Sequence, residues 1–491
     1  MNIALLPDAH LRVFERPPAP APDALRTVYL IGICGTGMGS LAGLLKEAGY
    51  AVSGSDQAVY PPMSTRLAEA GIHVVEGYDA AHLDPPPDLV VVGNACTPTH
   101  PEAAAARDRG LVQLSFPETL SHLFLTGRRS LVVAGTHGKT TTTGLLVHVL
   151  RSAGRDPGFL VGGVLQGMQT SFGIGSGPHF VVEGDEYDCA YFDKRPKFVH
   201  YQPTSGIVTS MELDHTDIYP DWASYREAFV SFARLVPEAG LLALCGDHDP
   251  VRELAAEARS RVVLYGLSPG NAVTCAHVAV DARGQSFDLV VDGTTRGRLH
   301  LPLFGRHNLS NALAVCALAL DEGLDMDALR AGLGSFPGMV RRQEVLGEAN
   351  GVRVLDDFAH HPTAVRVTVD AVRDANPGRR LVAVFEPRTN TSRRKAFEQT
   401  YIEALVQADV SCICTPPFRH NDNAADFLDP QVVVDSLCRR GVDAHRADSP
   451  DAMLALLLEL VAPGDVVLIM SNGGFGGVHR RLLAALRERE K

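Results

Sequence analysis

The stretch "AGTHGKTTTT", residues 134–143, decides how this chain is read. It follows the apolar run "SLVV" and leads into "GLLVHVL", so it is a loop between a predicted strand and a predicted helix. The usual phosphate-binding loop has four residues between its first glycine and Gly-Lys-Ser/Thr. Here two residues, Thr136 and His137, separate Gly135 from Gly138, and Val133 stands where the pattern has glycine. The chemistry is nevertheless complete. Lys139 supplies a cation for β- and γ-phosphates, and the N–H groups of Thr136–Thr140 can wrap them. The hydroxyl of Thr140 or Thr141 can reach a magnesium ion. A plain strand-to-helix turn is the alternative.

Two acidic strand ends weigh against that alternative. "VVEGDEYD" closes one predicted strand with Glu183, Asp185 and Glu186, and "SMELDHTDIY" closes another with Glu212, Asp214, His215 and Asp217. Parallel strands bring their C-terminal ends to one edge, beside the loop. Carboxylates and an imidazole gathered there suit hard cations that bridge phosphates.

A second glycine loop lies nearer the N-terminus, where "RTVYLIGICGTGMGSLAGLLKEAGYAVSGSD" reads as strand, loop, helix, strand. Gly32, Gly35, Gly37 and Gly39 permit a tight turn and close approach to a diphosphate at a helix N-terminus. Read from Gly35, the third position of G-x-G-x-x-G is Ser40, so the pattern is degenerate. A nicotinamide cofactor, another diphosphate ligand and a packing turn all remain open on this loop alone.

With 491 residues the chain exceeds one core, and its 45% hydrophobic and 21% charged content is that of a globular protein. A net charge of −12 argues against a nucleic-acid surface. No apolar run approaches the roughly 18 residues of a membrane span. "MNIALLPDAHLRVFERPPAPAP" lacks the basic start and apolar run of a signal peptide, and its Pro/Ala-rich end reads as an arm. The nine cysteines include no C-x-x-C pair and are expected as buried thiols in a cytoplasmic protein. Strands near "PDLVVVGNA", "LLALCGD", "VRVLDD", "RLVAVFEPR", "ADVSCICT" and "GDVVLIMSN" alternate with helical stretches, which predicts α/β units with mostly parallel sheets. Residues 272–303 are expected to form a small antiparallel insertion.

The shortened G-x-x-G-K-T loop, the E-x-D-E and D-H-x-D strand ends, "FGRHNLSNALA" (304–314), "FPGMVRRQE" (336–344) and "DDFAHHPTA" (356–364) together resemble the Mur ligases of peptidoglycan synthesis. The resemblance runs from about residue 27 to the C-terminal region. It implies three domains after an arm at 1–26: a Rossmann-like UDP-sugar domain at 27–126, a P-loop-type ATPase domain at 127–338 and a Rossmann-like acceptor domain at 339–491. It also implies that the opening stretch is this family's own form of ATP loop.

Carried over by residue, the resemblance places Gly135, Thr136, His137, Gly138, Lys139, Thr140 and Thr141 on ATP, with Asn308 and Asn311 near adenine. Arg341, Arg342, Asp357 and His360 would complete the nucleotide site, although His360 and His361 could instead cap a helix. Thr140, Glu183 and His215 would hold two magnesium ions, and Lys139, Glu183, His215 and Arg342 form the expected catalytic set. Gly35, Thr36, Gly37, Met38, Ser55, Asp56 and Asn94 would bind the UDP-sugar. "YREAFVSFARLV" lacks the lysine that several members carry after D-H-x-D, which resembles the branch acting on unsubstituted UDP-N-acetylmuramate. Within it, "SDQAVYPPMSTRL", "DEYDCAYFDKRPKFVHY" and "MSNGGFGGVH" resemble a recycling enzyme that adds a muropeptide-derived tripeptide, rather than one adding L-alanine. Arg388, Asn390, Asn472 and Gly473 are the expected acceptor-binding residues, with Arg393 and Arg394 either assisting or forming a solvated basic loop. Gly37 and Ser40 depart from the usual residues of the first loop. An oxidoreductase using that loop, or a nucleotide-binding regulator without catalysis, are the rival readings.

Overall fold

The computed structural model of the chain describes residues 6, 8–60, 63–215, 218–389, 392–416 and 426–490. They fall into two compact units. The first comprises Met1–Thr274, Val290–Arg296 and Leu313–Leu333, and the second Cys275–Leu289, Gly297–Ala312 and Gly334–Lys491.

The first unit contains a sheet of five parallel strands: β1 (Thr27–Ile31), β2 (Ala51–Asp56), β3 (His73–Glu76), β4 (Leu89–Val92) and β5 (Gln113–Ser115). Their order is β3-β2-β1-β4-β5, with Ile31 aligned to Ser55 on one side and Val92 on the other. The order reverses beside β1, which is where open α/β sheets receive ligands. The glycine loop sits there, between β1 and the helix Thr36–Glu47.

A second sheet in this unit is built from β6 (Arg129–Ala134), β7 (Gly158–Leu160), β8 (Phe172–Gly173), β9 (His179–Gly184), β12 (Ser205–Val208), β13 (Leu241–Cys245) and β14 (Arg261–Tyr265). The order is β14-β13-β12-β6-β9-β7-β8, parallel except for β8. β6 lies between β9 and β12, with Val133 opposite Glu183 and Ala134 opposite Val208. The loop after β6 therefore opens between the two acidic strand ends. Between β9 and β12 the chain also forms an antiparallel hairpin, β10 (Asp188–Ala190) and β11 (Asp193–Pro196), that the sequence reading did not foresee.

That hairpin explains the arm. Ala190, Tyr191 and Phe192 share one hydrophobic cluster with Tyr29, Ile31, Val90 and Val92 of the first sheet, and Phe14 packs against it. The Phe14 ring stacks on Tyr191 at 6.2 Å and meets Phe192 edge-on at 6.0 Å. Arg16 grips Glu118 through two bonds of 2.9 and 3.0 Å, while its guanidinium lies 4.4 Å over Phe192. The arm ties the first sheet's surroundings to the hairpin that follows β9.

In the second unit β15 (Val273–Asp281), β16 (Gly284–Val291) and β17 (Thr294–Leu301) lie side by side for most of their length. Their two-residue connections allow only antiparallel pairing, as expected for this insertion. The C-terminal sheet contains β18 (Glu344–Ala349), β19 (Val352–Asp357), β20 (Leu381–Phe385), β21 (Val410–Cys414), β22 (Asp443–Ala447) and β23 (Val466–Met470), in the order β18-β19-β23-β20-β21-β22. Only β18 runs antiparallel. The period of two is plain along β20. Leu381, Ala383 and Phe385 enter the core under the helix Pro362–Ala375, whereas Val382 and Val384 enter the one under the helices Pro450–Leu460 and Val478–Arg489. Inserting β23 between β19 and β20 brings Asp357, Glu386 and Ser471 to one edge, where Ser471 N–H donates to Asp357 O and Glu386 N–H to Met470 O.

Candidate active site

In the first unit the loop Gly135–Gly138 turns with φ of +134° and +81° at its two glycines. A Cβ on Gly135 would fall 2.0 Å from Thr209 Oγ1, so this close approach requires glycine. Lys139 opens the helix Lys139–Ser152, and its ammonium donates to Gly135 O at 2.6 Å and to Glu186 Oε2 at 2.7 Å. Thr140 Oγ1 donates to Glu183 Oε1 at 2.9 Å, and the other Glu183 oxygen accepts from Gly162 N–H at 2.7 Å. His215, at φ +52°, holds its Nε2 3.6 Å from Glu186 Oε1. Thr136 bonds the hydroxyl of buried Tyr225 at 2.7 Å, and His137 Nε2 lies 3.1 Å from Glu212 Oε2. Asp214 turns back on its own chain, accepting from His215 N–H. Asp217 lies outside the described residues.

The charges of this cluster act on one another. Burial works to lower the Lys139 pKa, but Glu186, Asp185 and Glu183 outweigh it and hold the ammonium above its ordinary range. Glu183 is pushed up by burial and by Asp185, with Lys139 opposing. Lys197 lies 3.5 Å from Asp185, so three carboxylates meet two lysines, an excess that a divalent cation relieves. Carboxylate, hydroxyl and imidazole donors at Glu183, Thr140 and His215 fit magnesium. Glu186, only 1% exposed and expected only as part of the acidic edge, is the direct partner of Lys139. Its E-x-D-E motif signalled an acidic edge without saying which carboxylate turns to the lysine.

At the glycine loop, Gly35 and Thr36 are exposed, Gly37 is half-buried and Asn94 is exposed beyond β4. Met38 is mostly buried. Asp56 accepts from Cys34 N–H at 2.9 Å and so fastens the loop. Ser55, expected on the UDP-sugar, has a wholly buried side chain whose hydroxyl donates to Glu102. Glu102 is itself fully buried and receives Tyr29 OH at 3.0 Å, with His82 Nδ1 at 2.8 Å. Sequence reading missed it within the alanine-rich "PEAAAARD". Ser40 is buried and bonds Thr36 O and the Ser171 hydroxyl.

In the second unit, Asn308 and Asn311 sit one turn apart. Asn311 donates to Asn308 and Asn308 to Phe304 O, so both amides also serve the start of their own helix. Arg341 and Gln343 adopt φ of +59° and +51°, a left-handed conformation uncommon outside glycine, on either side of Arg342. Arg342 lies 4.9 Å over the Phe358 ring, and its charge acts on Asp357 and His307. Asp357 is raised by burial, with Arg342 and the N–H groups of Gln343 and Ala359 opposing. Of the two histidines, His361 caps the helix Pro362–Ala375, and His360 is half-buried with its Nδ1 3.1 Å from Phe358 O. Arg341, expected on the nucleotide, donates from its guanidinium to Asp356, Ser471 O and Gly473 O.

Arg388 is exposed and lies against Gly473, where a Cβ would come within 2.6 Å of its side chain. Arg393 is not a solvated loop residue: it is 4% exposed, with its guanidinium 5.5 Å over Phe427. Arg394 is exposed. Asn390 lies outside the described residues. The structure therefore gathers Lys139, Thr140, Glu183 and His215 within the first unit, and Arg342 with Asp357, and Arg388 with Gly473, within the second. Among the described residues no helix is long and apolar enough to cross a membrane.

Comparison with known proteins agrees with this geometry. Three family models match in order: the Mur ligase family catalytic domain at 27–128, the Mur ligase middle domain at 133–319 and the Mur ligase glutamate ligase domain at 341–473. The UDP-N-acetylmuramate–L-alanyl-γ-D-glutamyl-meso-2,6-diaminoheptandioate ligase of Escherichia coli K12 is 39% identical over 94% of this chain and 98% of its own. The ligase of the same name from Haemophilus influenzae is 37% identical over 94% and 100%. The crystal structure of a murein peptide ligase from Psychrobacter arcticus covers 94% of this chain and 99% of its own at 34% identity, with a TM-score of 0.71. Phosphate loop, acidic strand ends and three-domain α/β architecture converge on one conclusion: the chain belongs to the Mur ligase family.

Proposed function

We propose that this chain is an ATP-dependent ligase that joins the lactyl carboxylate of UDP-N-acetylmuramate to the free amine of L-alanyl-γ-D-glutamyl-meso-diaminopimelate, a recycling step in the cytoplasm. The observation that carries the reading is the Lys139–Glu186 and Thr140–Glu183 cluster around the phosphate loop. The acceptor is inferred from relatives that bear this activity in their names.

A carboxylate is a poor electrophile, so it must be activated before an amide can form. Its oxygen attacks the γ-phosphorus of ATP, ADP leaves, and an acyl phosphate results. The amine nitrogen then attacks the acyl carbon, and the C–O bond to phosphate breaks. In this reading Lys139 exchanges Glu186 for phosphate oxygens, and the N–H groups of Thr136–Thr140 wrap them. Thr140, Glu183 and His215 would hold two magnesium ions, which when bound neutralise charge on the phosphoryl oxygens. Asn308, Asn311, Arg342, Asp357 and His360 are assigned to the nucleotide. Gly35, Thr36, Gly37, Met38, Asp56 and Asn94 are assigned to the UDP-sugar, and Arg388, Asn390, Asn472 and Gly473 to the acceptor. The corresponding parts are the arm 1–26 and domains 27–126, 127–338 and 339–491.

Phosphate release with ATP, Mg²⁺ and UDP-N-acetylmuramate, compared for tripeptide and L-alanine, tests the reading. Turnover with the tripeptide is expected. Turnover with L-alanine alone would move the enzyme to the biosynthetic L-alanine-adding step.

A further inference from the structure

Arg341 occupies an unusual position for a residue expected on a nucleotide. Its backbone is left-handed, with φ +59°, and its N–H donates to Glu344 Oε2 at 2.7 Å. The guanidinium then reaches three groups of its own unit. Nε meets the buried carboxylate of Asp356 at 3.2 Å, and Nη2 donates to Ser471 O at 2.5 Å and Gly473 O at 2.7 Å. Arg341 thus clasps the loop after β23 by the carbonyls on either side of Asn472. Ser471 is fixed from its other end, since its hydroxyl donates to Glu386 Oε2 and receives Gly473 N–H at 2.9 Å.

Between the clasped carbonyls, Asn472 Oδ1 is buried and has no hydrogen-bond partner among the described residues. A buried acceptor left unpaired is uncommon in a native protein and calls for a partner. Across the loop stands Arg388, packed on Gly473. Arg341 therefore fixes the backbone of a loop that carries one buried acceptor and lies against the Arg388 side chain.

We propose that Arg341 is a positioning residue for the incoming peptide: it fixes Ser471–Gly473 so that Asn472 accepts from an N–H of the peptide while Arg388 faces its carboxylates. The proposal rests on the reading of the C-terminal sheet as the acceptor-binding part of a Mur ligase. It separates two adjacent arginines, with Arg342 left to the nucleotide and Arg341 to the acceptor.

Steady-state phosphate release by the full-length protein decides it. Arg341→Met and Arg341→Lys are compared with wild type while tripeptide, ATP and UDP-N-acetylmuramate are varied in turn. The lysine variant keeps a charge beside Asp356 but cannot span both carbonyls, which guards against a folding failure in the first. The expected result is a rise of about tenfold or more in the tripeptide KM, with the ATP KM within about twofold of wild type. Asn472→Ala should move the same constant, and combining it with Arg341→Lys should multiply the effect by less than the product of the two. An ATP KM that rises as much as the tripeptide KM would overturn the proposal, as would a fall in kcat alone with every KM unchanged. If wild type turns over only L-alanine, the acceptor named above fails; the same ratio measured with L-alanine still decides the role of Arg341.

Discussion

Lys139 Nζ lies 2.7 Å from Glu186 Oε2, so the lysine of the phosphate loop already has a buried counter-ion on the neighbouring strand end. Glu186 also stands 3.6 Å from His215 Nε2 and accepts weakly from Tyr225 OH at 3.5 Å. It orients both the cation and the imidazole. Glu186→Gln keeps the shape and removes the charge, and should lower kcat about 10- to 100-fold through misplaced Lys139 and His215. Lys139→Ala should abolish ligation. Near-normal turnover in either variant would remove the cluster from the reaction, and phosphate release measures both.

Gly473 offers a test confined to the acceptor side. A Cβ there would meet Arg388 at 2.6 Å, yet Arg388 is exposed and can swing away. Gly473→Ala should therefore leave the melting temperature within about 2 °C of wild type while displacing Arg388. The tripeptide KM should rise and the ATP KM stay unchanged. Arg388→Ala should show the same split, and equal changes in both constants would argue against an acceptor role.

Glu102 carries the region beneath the first glycine loop. Its carboxylate holds Ser55, Tyr29 and His82, and burial together with Glu102 raises the Tyr29 hydroxyl far above its usual range. Glu102→Ala would strand these donors, at a cost of about 2–4 kcal/mol. Glu102→Gln, which retains an acceptor, should cost less. Denaturation midpoints of the two variants distinguish a bonding role from simple filling of space, for which both would fall alike.

These residues show what was legible in the chain. Strand–loop–helix order, the lysine and the acidic edges are local patterns, and each was readable. The partner chosen by each group was not, because it depends on which strand ends become neighbours. β6 sits beside β9 only after folding, and Lys139 then meets Glu186 while Asp185 lies 3.5 Å from Lys197. Likewise "RTNTSRR" reads as a basic loop, but Arg393 is buried because Phe427, more than thirty residues away, covers it. Left-handed backbone at Arg341 and Gln343 has no sequence signature, since neither is glycine, asparagine or aspartate. There Arg341 reaches Asp356, Ser471 O and Gly473 O, while the charge of Arg342 acts on Asp357 and His307.

The arm was legible only as a Pro/Ala-rich segment, and its effect is long-range. Phe14 covers Tyr191 and Phe192, and Arg16 neutralises Glu118, whose carboxyl is raised by burial but held net below its usual range by Arg16 and Ser115. Arg16→Ala should destabilise the protein by about 1–3 kcal/mol, because Glu118 stays mostly buried after its partner is lost. Phe14→Ala adds a loss of about 1 kcal/mol from the aromatic contacts. Both should speed proteolytic cleavage near residues 188–196. Unchanged melting and cleavage would show that the arm is only laid on the surface.

His307 makes a prediction about acid. It lies beside Arg342 and Gly305, and burial followed by the Arg342 charge pushes its pKa down to about 4 from an ordinary 6.5. Gln343 Nε2, a donor, approaches His307 Nε2 at 3.3 Å, which requires that ring nitrogen to be the unprotonated one. The unfolded chain binds this proton more readily than the folded one between pH 4 and 6.5. Stability from this group is therefore complete above about pH 6.5 and declines as pH falls towards 4, by at most on the order of 3 kcal/mol. Replacing the imidazole in His307→Gln removes the titrating group, so urea midpoints of the variant should fall less steeply over that window than those of wild type. Because slopes are compared, a uniform loss of stability in the variant does not disturb the test. Identical slopes would mean that His307 titrates alike in both states, and that Arg342 does not press on it in the folded protein.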